Sequence, residues 1–173
     1  MSAPVFGRPP AAAKGELDVI AAGPERALER CRPVFEALAR QVFVVGTAPE
    51  QANAVKIARN FLLATVIEGL GEALALARGC GVDAARFVEI LTSTSLAAPA
   101  YRNYGKLMVE RAYEPAQFSM ELGLKDVELA LATAADHGIR LPGAELIRGH
   151  LMQAIAKGDG HKDWAAAAEY IPK

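Results

Sequence analysis

The segment Asn53-Ala-Val-Lys56-Ile-Ala-Arg-Asn60 has residue types and spacing suited to proton transfer. Offsets of three and four put Asn53, Lys56 and Asn60 on one stripe of a helix. The neighbours of that stripe are small or apolar. Desolvation disfavours an ammonium, so a partly buried lysine there moves its pKa toward values useful for proton exchange. An asparagine one turn away can fix a substrate hydroxyl or carboxylate. On spacing alone, the favoured reading is plainer: a lysine that snorkels from a helix surface into solvent.

Other chemistries find no support. His137, His150 and His161 are more than a helical turn apart, and neither Cys31 nor Cys80 has a partner at ligand spacing, so no metal ion is expected. The glycine pairs Gly69/Gly71, Gly79/Gly81 and Gly158/Gly160 would need a third glycine where Leu74, Ala84 and Asp163 stand. The dinucleotide fingerprint is therefore missing, as are a phosphate-binding loop and a nucleophile elbow.

The lysine stripe needs a long helix to carry it, and the sequence supplies one. Thr47-Ala-Pro-Glu50 is a capping-box pattern followed by about thirty residues without proline, which predicts a helix from Ala48 to Arg78 ended by Gly79-Cys-Gly81. Such a helix spans about 45 Å and must be a central spine or reach a second subunit. Its apolar stretch Phe61–Ala77 is broken by Glu68, Gly69, Gly71 and Glu72, so it reads as a buried helix and not a membrane span. Further helices are predicted from Asp83 to Leu91, Pro99 to Tyr113, Met120 to His137, Pro142 to Lys157 and Lys162 to Tyr170. Ahead of the spine, Ala3–Phe6, Leu17–Ala22 and Val42–Val45 read as strands, with one helix from Pro24 to Ala39 and a Pro/Ala segment between the first two strands. One helix cannot cover both faces of such a sheet, which predicts that further elements precede Met1.

Composition narrows the function classes. With 19 Lys+Arg against 20 Asp+Glu, the formal net charge of −1 lacks the basic footprint of a nucleic-acid binder or a polybasic membrane surface. Neither partner is expected. The 173 residues include 35 alanines and only 6% aromatics, a composition for closely packed helices. Residues Met1–Gly7 show no secretory signal, and two isolated cysteines fit a reducing cytoplasm.

Three motifs stand in order: Ser2-Ala-Pro-Val-Phe-Gly7, Lys56-x-x-x-Asn60, and Phe118-Ser-Met-Glu-Leu-Gly-Leu-Lys125-Asp126-Val-Glu-Leu-Ala130. Together they resemble the β-hydroxyacid dehydrogenase family, which includes 3-hydroxyisobutyrate dehydrogenase and, more distantly, 6-phosphogluconate dehydrogenase. The resemblance implies a mainly α fold: residues 1–46 as the truncated end of an NAD(P)-binding Rossmann domain, and 47–173 as an all-helical substrate and dimerisation domain around one long central helix. It implies an oxidoreductase that moves a hydride between nicotinamide and a small β-hydroxyacid or semialdehyde. In that reading Lys56 is the general acid/base, Asn60 orients substrate, and Phe6, Gly7 and Arg8 lie at the substrate. Lys125, with Asp126 and Phe118, reaches the cofactor.

The chain departs from the family at two places. Phe6 stands where many members have the serine of a Ser-Gly-Gly, with Arg8 following, and Thr47–Gln51 replaces a glycine-rich turn. Arg8 reads either as a carboxylate ligand or as a solvated loop residue. Read without the resemblance, Lys125 is a surface lysine near Glu121 and Glu128, and Asp126 a solvated charge. Imine reductases, a sister group, usually lack a lysine at the Lys56 position, so its presence favours alcohol or carbonyl substrates. NAD or NADP is the cofactor implied for a full-length protein, with none expected on this chain alone. A small carboxylate substrate and a homodimer through the helical domain are the implied partners. The alternatives are a non-catalytic helical dimerisation or carboxylate-binding fragment, and a helical protein-interaction module.

Overall fold

A computed structural model describes residues 1–171. The chain forms two compact units, Met1–Arg59 and Asn60–Lys173. The first holds β1 (Val5–Phe6), α1 (Pro9–Ala12), β2 (Leu17–Ala22), α2 (Glu25–Leu38), β3 (Ala39–Gly46) and the first turns of α3 (Pro49–Gly79). The sheet order is β1-β2-β3, with β1 antiparallel and β3 parallel to β2. Alternation along β2 builds two small cores. Val19 and Ala21 pack with Phe35 of α2, while Ile20 and Ala22 pack with Ala52 at the start of α3. On β3, Val42, Phe43 and Val44 are exposed.

The element bounds differ from the expected ones where proline and tertiary pairing intervene. The Pro/Ala segment is a single helical turn, α1, because Pro9 and Pro10 fix φ at its first positions. The first strand is only two residues long, with Ser2 joined to Ala22 by a separate bridge. Strand β3 begins at Ala39, directly after α2, because Ala39 is already paired with Leu17. The start of α3 is fastened by Gln51, whose Oε1 accepts from the Ala48 N–H at 3.0 Å. Glu50, the expected capping partner, is one residue off.

The second unit contains the rest of α3, then α4 (Ala84–Thr92), α5 (Pro99–Glu110), α6 (Met120–Asp136), α7 (Pro142–Ala156) and a closing 3-10 helix (Trp164–Tyr170). Along α3, Ala64, Ile67, Leu70 and Leu74 recur at intervals of three and four and are buried. They join Tyr104 and Met108 of α5, Met120 and Val127 of α6, and Ile147 and Leu151 of α7 in one core. By length and apolarity α3 is the one helix among the described residues that meets the measure of a membrane span; these core residues are its structural use.

Trp164 locks the last turn into that core. Its Nε1–H donates to Tyr104 Oη at 2.9 Å, and its ring meets Phe118 edge-on at 4.9 Å between centroids. Beside it, Asp163 is only 1% exposed; its Oδ2 accepts from the Gln117 and Phe118 N–H groups and its Oδ1 from that of Ala165. Every polar atom of this buried carboxylate therefore has a backbone donor. Helix α5 stops at Glu110, short of the expected Tyr113. Arg111 takes a left-handed conformation with φ 51°, and its guanidinium pairs with Glu169 at 2.9 Å.

Candidate functional site

In the first unit, Lys56 is half-buried and its Nζ donates to the Val5 carbonyl oxygen at 3.1 Å. The ammonium is thus set over β1 by a backbone acceptor. One strand position on, the guanidinium of Arg59 lies over the Phe6 ring, with Cζ 4.7 Å from the centroid. Asn53, from the same stripe, accepts from Ser2 Oγ at 2.7 Å and so ties the first residues of the chain to α3.

Phe6 pairs across the sheet with Asp18, whose carboxylate takes both Nε and Nη2 of Arg40 at 2.8 and 2.9 Å. Those hydrogen bonds, with the nearby charges of Arg40 and Arg59, hold the Asp18 carboxyl below its ordinary range. Gly7 follows with φ 133°, a conformation that side chains rarely adopt, and a Cβ there would fall 2.5 Å from Leu17 Cδ2. Arg8 is half-buried at the N-cap of α1.

In the second unit, Asn60 Nδ2 donates to Asp126 Oδ2 at 2.8 Å, joining α3 to the second turn of α6. The neighbouring Lys125 is exposed. Phe118 is half-buried against Trp164 and belongs to the packing of that corner. The structure thus brings Lys56, Phe6 and the β1 backbone together within one unit, and Asn60 and Asp126 within the other.

Two further features were not foreseen from the sequence. One is Arg59: the spacing Lys56-x-x-Arg59 places a second cation one helical turn from the lysine. The buried carboxylate Glu68 meets His150 Nδ1 at 2.8 Å. Their separation of 82 residues leaves no local signal. Among the described residues no group of three or more His, Cys, Asp or Glu side chains is arranged to hold a metal ion.

A primary amine anchored beside a strand, with a guanidinium one turn along, has the parts to exchange a proton with a substrate oxygen and to hold an anion. A dinucleotide asks for something else: a glycine-rich strand-to-helix turn whose amides meet the pyrophosphate. The turns into α2 and α3 read Gly23-Pro24 and Thr47-Ala-Pro49 and are not glycine-rich turns of that kind, so the residues of this chain that would meet the dinucleotide lie elsewhere. The exposed ammonium of Lys125 does suit a phosphate or ribose edge.

The family model described as NAD-binding of NADP-dependent 3-hydroxyisobutyrate dehydrogenase matches residues 51–171, and that of the NAD binding domain of 6-phosphogluconate dehydrogenase matches residues 1–46. An uncharacterised oxidoreductase of Bacillus subtilis, YfjR, is 44% identical over 171 residues, covering 99% of this chain and 59% of the relative. The 2-hydroxy-3-oxopropionate reductase of Escherichia coli is 28% identical, covering 99% and 58%. Among solved structures, the 3-hydroxyisobutyrate dehydrogenase of Salmonella typhimurium superposes with a TM-score of 0.88 at 28% identity, over 97% of this chain and 59% of that one. The chain thus spans about three-fifths of the length of the relatives it matches.

Proposed function

Because the chain belongs to the NADP-dependent 3-hydroxyisobutyrate dehydrogenase family, we propose that it is the substrate-handling and dimerisation part of an NAD(P)-dependent oxidoreductase acting on a small hydroxyacid or semialdehyde. The observation that carries this reading is the anchorage of Lys56. Its Nζ lies 3.1 Å from the Val5 carbonyl oxygen, so one ammonium hydrogen is committed and the directions of the other two are fixed.

The dinucleotide, when bound, supplies or accepts the hydride. Lys56 handles the proton: as the neutral amine it takes the hydroxyl proton in the oxidising direction, and as the ammonium it returns that proton to the carbonyl oxygen in the reducing direction. Asn60, one turn further along α3, orients the substrate, and Asp126 holds the Asn60 amide by accepting from Nδ2. Lys125 reaches toward the cofactor. Gly7 and Arg8 border the substrate, and Phe6 forms its apolar wall. The related names favour a small carboxylate as substrate: the Escherichia coli relative is a reductase of 2-hydroxy-3-oxopropionate, and a 25% identical Mycobacterium tuberculosis 3-hydroxyisobutyrate dehydrogenase structure includes L-serine.

The partner of this chain is a second copy. Leu62 and Leu76 of α3 remain 62% and 70% exposed after the second unit has packed, and they lie near one face of the helix. Steady-state assays of the enzyme carrying this chain, with short 3-hydroxy acids and either NAD or NADP, test the reading. Turnover of at least one such acid is expected, and failure with all of them and with the matching semialdehydes would reject it.

A further inference from the structure

Asn53, Lys56 and Arg59 follow one another along α3 at intervals of three, and each meets the first strand segment: Ser2, Val5 and Phe6 in turn. Ser2 Oγ donates to Asn53 Oδ1 at 2.7 Å, Lys56 Nζ donates to the Val5 carbonyl oxygen at 3.1 Å, and the Arg59 guanidinium lies 4.7 Å from the centre of the Phe6 ring. All six residues belong to the first unit. The ladder explains why the middle contact falls on a carbonyl. Ser2 exchanges both backbone hydrogen bonds with Ala22, and the Pro4 carbonyl accepts from the Ile20 N–H. Antiparallel pairs alternate between bonded and non-bonded positions, so the next residue, Val5 opposite Val19, turns its carbonyl away from β2 and toward Lys56. A strand of two residues has few bonds of its own to fix that oxygen. The lysine stem has four rotatable carbons, so its amine is placed no better than the acceptor that holds it.

We infer that Asn53 and Arg59 are positioning residues for Lys56: by gripping Ser2 and Phe6 they clamp β1 to α3 on both sides of Val5, and so hold the carbonyl that aims the Lys56 amine. The inference rests on the reading above, in which Lys56 exchanges a proton with the substrate. Asn53 acts through its Oδ1, and the Phe6 ring holds the guanidinium through its π face whatever the Arg59 N–H groups meet. Phe6, standing where many family members have a serine, thereby gives β1 its second grip on the helix.

The test is a double-mutant comparison in the enzyme carrying this chain. Asn53→Ala and Arg59→Met should each lower kcat about tenfold, because a misplaced reacting group is costly in rate, with the KM for the hydroxyacid within about twofold. In the Lys56→Met background the same substitutions should lower kcat no further, since the residue they act through is gone. Ser2→Ala should reproduce Asn53→Ala, and Arg59→Lys, which keeps a cation over the ring, should retain most of the activity. Where Lys56→Met has lost turnover, an equal fold-loss with and without Lys56 would assign both residues to folding alone and overturn the inference. Undiminished kcat in either single variant would overturn it too. Chemical labelling reads the clamp without turnover. Acylation of Lys56 by acetic anhydride, followed by mass spectrometry against the exposed Lys125 of the same molecule, should quicken about threefold or more in Asn53→Ala and in Arg59→Met as the amine loses its acceptor. Unchanged labelling would overturn the clamp whatever the kinetics. Quickened labelling with undiminished Lys56→Met turnover would instead reject the proton-transfer role of Lys56 and leave the clamp standing.

Discussion

Asn60 and Asp126, 66 residues apart, are joined by a hydrogen bond of 2.8 Å from Nδ2 to Oδ2. This bond sets the amide of the substrate-orienting candidate before any ligand arrives, and it gives Asp126 a role on α3 beyond the charge it contributes beside Lys125. Preorganisation of this kind matters because a small misplacement of a positioning group is costly in rate.

Replacing Asp126 by alanine should therefore act on the substrate. Loss of a charge-assisted hydrogen bond of about 1.5–3 kcal/mol should lower kcat/KM for the hydroxyacid by about 10–100-fold. The KM for the cofactor should change little. Kinetics of the Asp126→Ala enzyme with each substrate varied in turn check this; an effect confined to the cofactor KM would assign Asp126 to the dinucleotide instead.

The Tyr104–Trp164 bond tests the helical core. Tyr104→Phe keeps the ring and removes the hydroxyl that accepts from Trp164 Nε1–H, leaving that donor unpaired in a site where both residues are buried. Such an orphan costs about 1–3 kcal/mol. Denaturant unfolding should show a lower midpoint with an unchanged slope, and an unchanged midpoint would mean that the bond does not contribute.

Glu68 predicts a pH dependence of stability. Burial pushes its carboxyl above the ordinary value of 4.5, the His150 imidazole pulls against that, and the charge of Glu72 adds to it. The folded chain holds the Glu68 proton more tightly than the unfolded one. That contribution is whole below about pH 4.5 and is lost as pH rises through the raised folded-state pKa. Glu68→Gln carries no titrating group, so the stability of the natural chain relative to this variant should fall as pH rises from about 4.5 toward neutrality. Thermal unfolding of both proteins across that range measures it, and parallel curves would contradict it.

Much of the helical half was legible because local rules govern it. The capping pattern near Thr47, the proline-free run and the glycines after Arg78 bound α3 within one residue at each end. Ser119 and Asp83 cap α6 and α4 by accepting from Leu122 and Arg86. The short elements were less legible, since β1 is held by two cross-strand pairs and α1 by two prolines, not by any periodic pattern. At the site, spacing sets Asn53, Lys56 and Asn60 on one helix stripe, while the roles given to Lys56 and Asn60 come from the family resemblance and not from the spacing. The Arg59–Phe6, Asn60–Asp126 and Glu68–His150 contacts each join distant segments, and periodicity carries no information about them.

The outward leucines of α3, Leu62 and Leu76, carry the prediction of self-association. Burying a leucine is worth about 1.5–3 kcal/mol, so a few at a two-fold interface offset the cost of association. Sedimentation equilibrium should give about twice 18.3 kDa, and replacing Leu62 and Leu76 by lysine should shift the species toward the monomer. A single species near 18.3 kDa for the natural chain would contradict the dimer.

The central claim is that Lys56 moves the proton, and the kcat of the Lys56→Met enzyme, compared with the natural one at saturating substrate and cofactor, tests it most directly. Removing a general acid/base should lower kcat by about 10²–10⁴-fold while the dissociation constant for the nicotinamide cofactor stays within about twofold. A kcat within about twofold of the natural value would contradict the account and return Lys56 to the role of a surface cation resting on the Val5 carbonyl.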